Sequence, residues 1–195
     1  MTHTHVQINL VFFSWVGILS NSFMFKGRCS KVFRSEGMKI GVLSDTHLTQ
    51  ITREFVDIYN AHLSDADMII HAGDIVSPSI IDFLEKNVFH GVQGNMDPFE
   101  IKALLPEKMI VEVGRHRLGV IHGWGAARDL EDRILPLFSN VDVIIYGHSH
   151  IIANHVKNDV LFFNPGTATG YSATGVNSIG ILEVSETIQG RIIPI

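Results

Sequence analysis

Eleven histidines are many for a chain of 195 residues. Several stand two positions from an acid or from each other, as in Asp45-Thr46-His47 and His148-Ser149-His150, with Gly73-Asp74, Gly94-Asn95-Met96-Asp97 and His122-Gly123 between them. Singly, each motif has a plain reading. Asp45 could be a cap with His47 on the surface, and Asp74 could be a turn residue. Gly94-Asn95 is a turn signal, because both residue types tolerate positive φ. His148-x-His150 is stronger, since alternate residues of an extended chain point the same way. Together the set offers three oxygen-bearing side chains, Asp45, Asp74 and Asn95, and four imidazoles, His47, His122, His148 and His150.

That collection is expected to be a metal site. Seven ligands exceed the need of one ion, so two ions sharing a carboxylate are expected, about 3.5–4 Å apart. Nitrogen and oxygen ligands without thiolate suit manganese, iron, zinc or nickel and fit an all-oxygen magnesium or calcium site poorly. Manganese is the first expectation, with nickel, iron or zinc as alternatives. Two divalent ions would clamp a phosphoryl group and lower the pKa of a bridging water, which makes phosphate-ester hydrolysis the natural chemistry.

The rest of the composition agrees. With a net charge of −5 and no Lys/Arg cluster the chain carries no nucleic-acid footprint, so a bound phosphate would draw its positive charge chiefly from ions. The one cysteine, Cys29, excludes an internal disulfide framework and a thiolate zinc site, and fits a reducing, cytoplasmic compartment. The expected partner is a small phosphoester; homo-oligomerisation is left open.

These residues need elements to position them. Short apolar runs predict strands at 38–44, 67–71, 88–92, 109–113, 117–122, 141–146, 160–163 and 178–184. Several are near-continuous Val/Ile/Leu, as in strands covered on both faces. Amphipathic stretches predict helices over 52–62, after Ser77-Pro78, after Asp97-Pro98 with Glu100 in a capping-box position, and over 126–138 with a break at Pro136. Each ligand motif then falls at the C-terminal end of a strand, where open α/β sheets bind ligands. Helices on a mainly parallel sheet followed by a β-rich end suggest an α/β fold of two packed sheets flanked by helices.

The ordered series D-x-H, G-D, G-N-x-D, H-G and G-H-x-H, from Asp45 to His150, resembles the calcineurin-like metallophosphoesterases. Asn164-Pro165-Gly166-Thr167 adds a resemblance to their small single-domain prokaryotic phosphodiesterase branch, related to the scaffold subunit of the retromer. The resemblance implies a four-layer αββα sandwich with two mixed β-sheets. It implies that Asp45, His47, Asp74 and His150 hold one ion and Asp74, Asn95, His122 and His148 the other. A metal-bridging hydroxide would then be the nucleophile, with no side chain in that role. Where much of the superfamily has a histidine in G-N-H-D, this chain has Met96, which has no proton to give. Asp97 then reads as a helix N-cap or as support behind the ligands. His71 reads as support for Asp74 or as a core histidine, and Trp124 as a wall of the site or a packing residue. His62, His90, His116 and His155 read as surface or packing residues. Two rivals to the phosphodiesterase are a metal-containing protein-interaction scaffold with the same fold and a phosphomonoesterase.

Residues 1–37 lie outside the resemblance; residues 38–195 form the expected domain. The apolar run from Ile8 to Leu19 is short for a membrane span, and its first basic residue, Lys26, follows rather than precedes it. Met38 directly opens a strand-like run, and Arg34-Ser35 can be encoded by a ribosome-binding sequence. Met38 is therefore the expected natural start and residues 1–37 a translated leader. His3 and His5 fall in this segment and read as incidental.

Overall fold

The structure, a computed structural model, describes residues 37–173 and 175–195. The reading of residues 1–36, including His3, His5, Cys29 and the proposed leader, lies outside the described residues. Among the described residues ten strands form two five-stranded sheets. The first sheet runs β10 (Ile188–Pro194), β9 (Ser178–Val184), β1 (Met38–Leu43), β2 (Met68–His71), β3 (Val88–Gly91). The second runs β4 (Lys108–Val113), β5 (His116–Ile121), β6 (Val143–Ile145), β8 (Val160–Asn164), β7 (Ala153–Lys157). β1–β2–β3 and β5–β6–β8 are parallel; β9, β10, β4 and β7 join antiparallel.

Alternation along the strands sorts the core into layers. Val42, Ile70 and Leu182 of the first sheet meet Val111, Val120, Ile145 and Phe163 of the second between the sheets. Leu43, Ile69 and Ile181 face the other way, onto Phe55, Ile80, Leu84 and Ile101 from the helices. Ile144 and Phe162 face outward onto Leu130 and Ile134. The result is the αββα sandwich. Its helices are α1 (Arg53–Ile58), α2 (Pro78–Leu84), α3 (Phe99–Leu104) and α4 (Leu130–Ile134). No helix among the described residues is long and apolar enough to cross a membrane.

Several local expectations change. The first helix starts where expected, with Thr52 Oγ1 accepting from Phe55 N at 3.2 Å, but continues as a π-helix over Tyr59–Leu63. The wider turn keeps both Tyr59 and Leu63 buried. The helix expected over 126–138 is only Leu130–Ile134, followed by a 3-10 turn at Leu135–Leu137 that holds Pro136. The capping box at Asp97 and Glu100 does not form. Pro98 is the N-cap of α3, with no side-chain capping bond, and the Asp97 carboxylate is engaged elsewhere. Strands β7 and β10 were not expected. Both lie at sheet edges and mix polar with apolar residues, so they lack the apolar run that marks a central strand.

Phe163 is fully buried between the sheets, against the bare backbone of Gly180 and Gly190. Phe163→Ala removes a ring that nothing nearby can replace. Its expected cost is about 3–5 kcal/mol, read as a lower urea midpoint with an unchanged slope.

Candidate metal centre

The fold brings the seven predicted ligand residues to one edge. Asp45 and His47 follow β1, Asp74 follows β2, Asn95 follows β3, His122 follows β5, and His148 and His150 follow β6. Asp45, Asp74 and His122 are buried; His47, His148 and His150 are half-buried and Asn95 exposed.

Backbone geometry at these positions is unusual. Asp45, His47, Asp74, His148 and His150 all have left-handed φ, from 49° to 67°. Each such residue costs of order 1–2 kcal/mol, and strain of this kind gathers at functional sites. The finding also corrects the extended reading of His148-x-His150: β6 ends at Ile145, and the two rings converge through a turn.

Each carboxylate has one oxygen anchored and one turned to the centre. Asp45 Oδ2 accepts from Ser44 Oγ at 2.6 Å and His148 N at 3.0 Å. Asp74 Oδ1 accepts from Met96 N at 2.7 Å. The free oxygen of Asp45, Oδ1, is buried with no hydrogen-bond partner, although His150 Nε2 stands 3.1 Å away and His47 and His122 Nε2 stand 3.9 and 4.0 Å away. Asp74 Oδ2 lies 3.4 Å from His122 Nε2 and 3.8 Å from His47 Nε2, so it reaches both halves of the cluster. Asp45 Oδ1 does so as well.

Three histidines spend one ring proton on a backbone carbonyl. His122 Nδ1 donates to Ala72 O at 2.7 Å, His148 Nε2 to Gly125 O at 2.7 Å, and His150 Nδ1 to Tyr171 O at 2.9 Å. In the neutral rings, the other nitrogen is then a bare lone pair. Two of those lone pairs, on His122 and His148, face the Asn95 amide oxygen, and the third, on His150, faces a ring nitrogen of His47. His122 Nε2 and His148 Nδ1 sit 3.1 and 2.9 Å from Asn95 Oδ1, and His150 Nε2 sits 3.3 Å from His47 Nε2. Acceptors aimed at one another repel unless a cation lies among them. Ligand atoms on one ion at about 2.0–2.2 Å stand about 3.0–3.6 Å apart, which is the spacing found. The donor set thus fits divalent metal. Asp45, His47 and His150 bring one ligand atom each within 4.8 Å of one another, as do Asp45, Asp74 and His122.

Residues behind the ligands hold the loops. Asp97 accepts backbone N–H from Asp74 at 3.2 Å, Val76 at 2.7 Å and Gly94 at 2.7 Å, tying the Asp74 loop to the Asn95 loop. Gly94 is needed for proximity, not for positive φ: a Cβ there would collide with Asp74. His71 is fully buried and does not touch the Asp74 carboxylate. Its Nδ1 accepts from Gly73 N at 3.2 Å and its Nε2 donates to Thr46 Oγ1 at 3.2 Å. Burial drives its pKa down to about 3, so it is a neutral brace. Thr167 Oγ1 donates to Asp45 O at 2.7 Å, and Asn164 Nδ2 to Gly147 O at 3.1 Å; the Asn164–Thr167 motif therefore clamps two ligand loops. The roles of Ser44 and Thr46 escaped the sequence reading, because a single hydroxyl beside a ligand carries no spacing signal. Among the other histidines, His116 is buried, with Nδ1 3.6 Å from Asp142, and His155 Nε2 lies 3.2 Å from Glu131.

Residues 38–187 match the calcineurin-like phosphoesterase superfamily domain. The chain belongs to this superfamily. A probable metallophosphoesterase of Methanocaldococcus jannaschii is 36% identical over 162 residues, covering 81% of this chain and 82% of that protein. An archaeal phosphodiesterase of known structure superposes with a TM-score of 0.65 at 28% identity, over 81% of this chain and all of that one (100%). Vacuolar protein sorting 29 from Cryptosporidium parvum shares the calcineurin-like fold, with a TM-score of 0.62 at 19% identity, over 82% and 98% of the two chains.

The electrostatics set a pH dependence. Burial alone would raise the pKa of Asp45 and Asp74, but His150, His122 and Ser44 around Asp45, and His122 and Met96 N–H around Asp74, hold both below the usual carboxylate value. The Asp45 carboxylate raises His150, and Asp74 with Asp45 raises His122 against its burial. In metal-free protein those two rings therefore keep protons to a higher pH than free imidazole, and a metal must displace them. Divalent-metal affinity should weaken steadily as pH falls from 8 to 6, with protons released on binding, as calorimetry in buffers of different ionisation enthalpy will read. Asp97→Asn keeps the shape but turns an N–H donor toward backbone donors. It should cost about 10–100-fold in metal affinity.

Proposed function

We propose that the protein is a metal-dependent phosphodiesterase whose catalytic unit is residues 38–195 and whose seven ligand side chains hold two divalent ions. Asp45, His47, Asp74 and His150 serve one ion, and Asp74, Asn95, His122 and His148 the other, with Asp74 shared and Asp45 Oδ1 near both. The observation that carries this reading is the convergence of imidazole nitrogens from His47, His122, His148 and His150 and of Asn95 Oδ1 around a buried Asp45 carboxylate oxygen that has no hydrogen-bond partner. Manganese suits the mixed donors, as do nickel, iron and zinc. When bound, the pair supplies a Lewis acid for the phosphoryl oxygens and a water acidic enough to ionise near neutral pH.

The chain's own residues then act as a frame. The carbonyls of Ala72, Gly125 and Tyr171 fix the tautomers of His122, His148 and His150. Met96 contributes its backbone N–H to Asp74, while its side chain is 61% exposed and offers no proton. General acid help is worth about 10²–10⁴-fold, so esters with good leaving groups suit this site best. The archaeal phosphodiesterase with the same fold supports the diester over the monoester.

Protein stripped of metal and reloaded with manganese should hydrolyse bis(4-nitrophenyl) phosphate faster than 4-nitrophenyl phosphate. A preference for the monoester would make the protein a phosphomonoesterase. Bound metal without turnover of either would leave the scaffold reading.

The exposed Met96 side chain allows a direct test of the missing acid. Met96→His should raise kcat for alkyl diesters by about tenfold or more and leave nitrophenyl diesters nearly unchanged. Equal effects on both would remove the leaving-group explanation.

A further inference from the structure

We propose that the cleft beside Asn95 and His122 receives one organic group of the ester, that this group is planar and aromatic, and that Trp124 is the face it stacks on. The proposal rests on the phosphoesterase reading above and names its substrate class.

The cleft has a volume of about 520 Å³ and is lined by Asn95 and His122 on the metal side and by Trp124, Leu137, Lys102 and Lys108 beyond. That volume falls within the usual range for small-molecule sites. Because two of the candidate ligands form its inner wall, a group esterified to a phosphate at the centre has this space directly beside it. Two lysines against one glutamate, Glu107, give the lining a positive surplus in a chain of net charge −5. An anionic ester is drawn to such a wall.

Trp124 is 47% exposed, far more than a packing role needs. Its loop is nonetheless fixed. Arg133 Nη2 donates to Trp124 O at 2.9 Å and also to Ala126 O, and Arg133 Nη1 donates to Arg128 O at 2.8 Å. The neighbouring carbonyl, Gly125 O, accepts from His148 Nε2. One guanidinium and one candidate ligand thus hold the indole's backbone in place relative to the centre. A wall that is ordered before binding loses little entropy when a ligand stacks on it. Stacking on such a ring tightens binding by about 5–150-fold and works for any planar π-face.

The test uses the full chain carrying Trp15→Phe, which leaves Trp124 as the single tryptophan, loaded with manganese. Adenosine monophosphate, methyl phosphate, butyl phosphate, inorganic phosphate and uncharged adenosine are titrated by fluorescence and as competitors of bis(4-nitrophenyl) phosphate hydrolysis. Adenosine monophosphate is expected to change the Trp124 emission and to bind about tenfold tighter than methyl phosphate. Trp124→Ala should abolish that gain and Trp124→Phe should keep most of it, with inorganic phosphate binding alike in all three. If phosphate binds but adenosine monophosphate gains nothing over methyl phosphate, the stacking wall is wrong and the phosphoesterase reading stands. If butyl phosphate gains as much, the planar class is wrong. If no phosphate compound binds, the phosphoesterase reading fails, and adenosine alone then decides the wall: no change in Trp124 emission overturns it.

Discussion

Two carboxylates taken out of water beside each other impose the constraint on which this edge of the molecule depends. Asp45 and Asp74 are buried at the ends of adjacent parallel strands, and buried anions are tolerated only with compensating charge and hydrogen bonds. Each has one oxygen satisfied by fixed donors, from Ser44, His148 N and Met96 N. The remaining oxygens need positive charge from the centre itself. Imidazoles meet that need in two ways, as imidazolium when protonated or as neutral co-ligands of a cation. The same clustering that raises His122 and His150 in metal-free protein therefore marks the centre as a place for divalent ions, because protons and metal compete for the same lone pairs.

This constraint explains the cost accepted in the surrounding backbone. Five candidate ligands sit in left-handed geometry, where ordinary side chains are strained. The strain persists because each loop is tied to another: Asp97 joins the Asp74 and Asn95 loops, and Thr167 and Asn164 hold the Asp45 and Gly147 loops. His71, kept neutral by burial, braces Gly73 and Thr46 together. Below these loops, the apolar layers between the sheets supply a rigid base. A centre of this kind is ordered before any substrate arrives, as electrostatic catalysis requires.

Much of this was legible in the sequence, and the parts that were not share a cause. The central strands read as apolar runs because both of their faces are buried, and the ligand motifs read clearly because they recur at strand ends. Edge strands β7 and β10 did not, because one side meets solvent and the apolar run dissolves into polar residues. Local capping rules failed at Asp97 for a different reason. The side chain that suits a helix N-cap also suits three backbone N–H groups, two of them from the Asp74 loop, and the longer-range arrangement prevails. Gly94 likewise reads as a turn glycine, whereas the structure needs its missing Cβ to bring two loops into contact. Short-range signals cannot distinguish these, since the deciding partner, Asp74, lies 20 residues upstream.

Met96 and Trp124 together suggest how such a site divides its labour. Under the phosphoesterase reading the frame engages phosphorus and leaves the rest of the substrate unspecified, since its carboxylates and imidazoles converge on the centre. Discrimination must come from the rim, where Met96 and Trp124 are exposed. A rim with Met96 where a histidine acid could stand favours leaving groups that depart with little help. Such groups are ones whose negative charge is delocalised, and delocalisation over a planar ring is one common way to achieve it. The missing acid at Met96 bears on which bond breaks, and the proposed aromatic wall at Trp124 bears on which organic group the cleft holds.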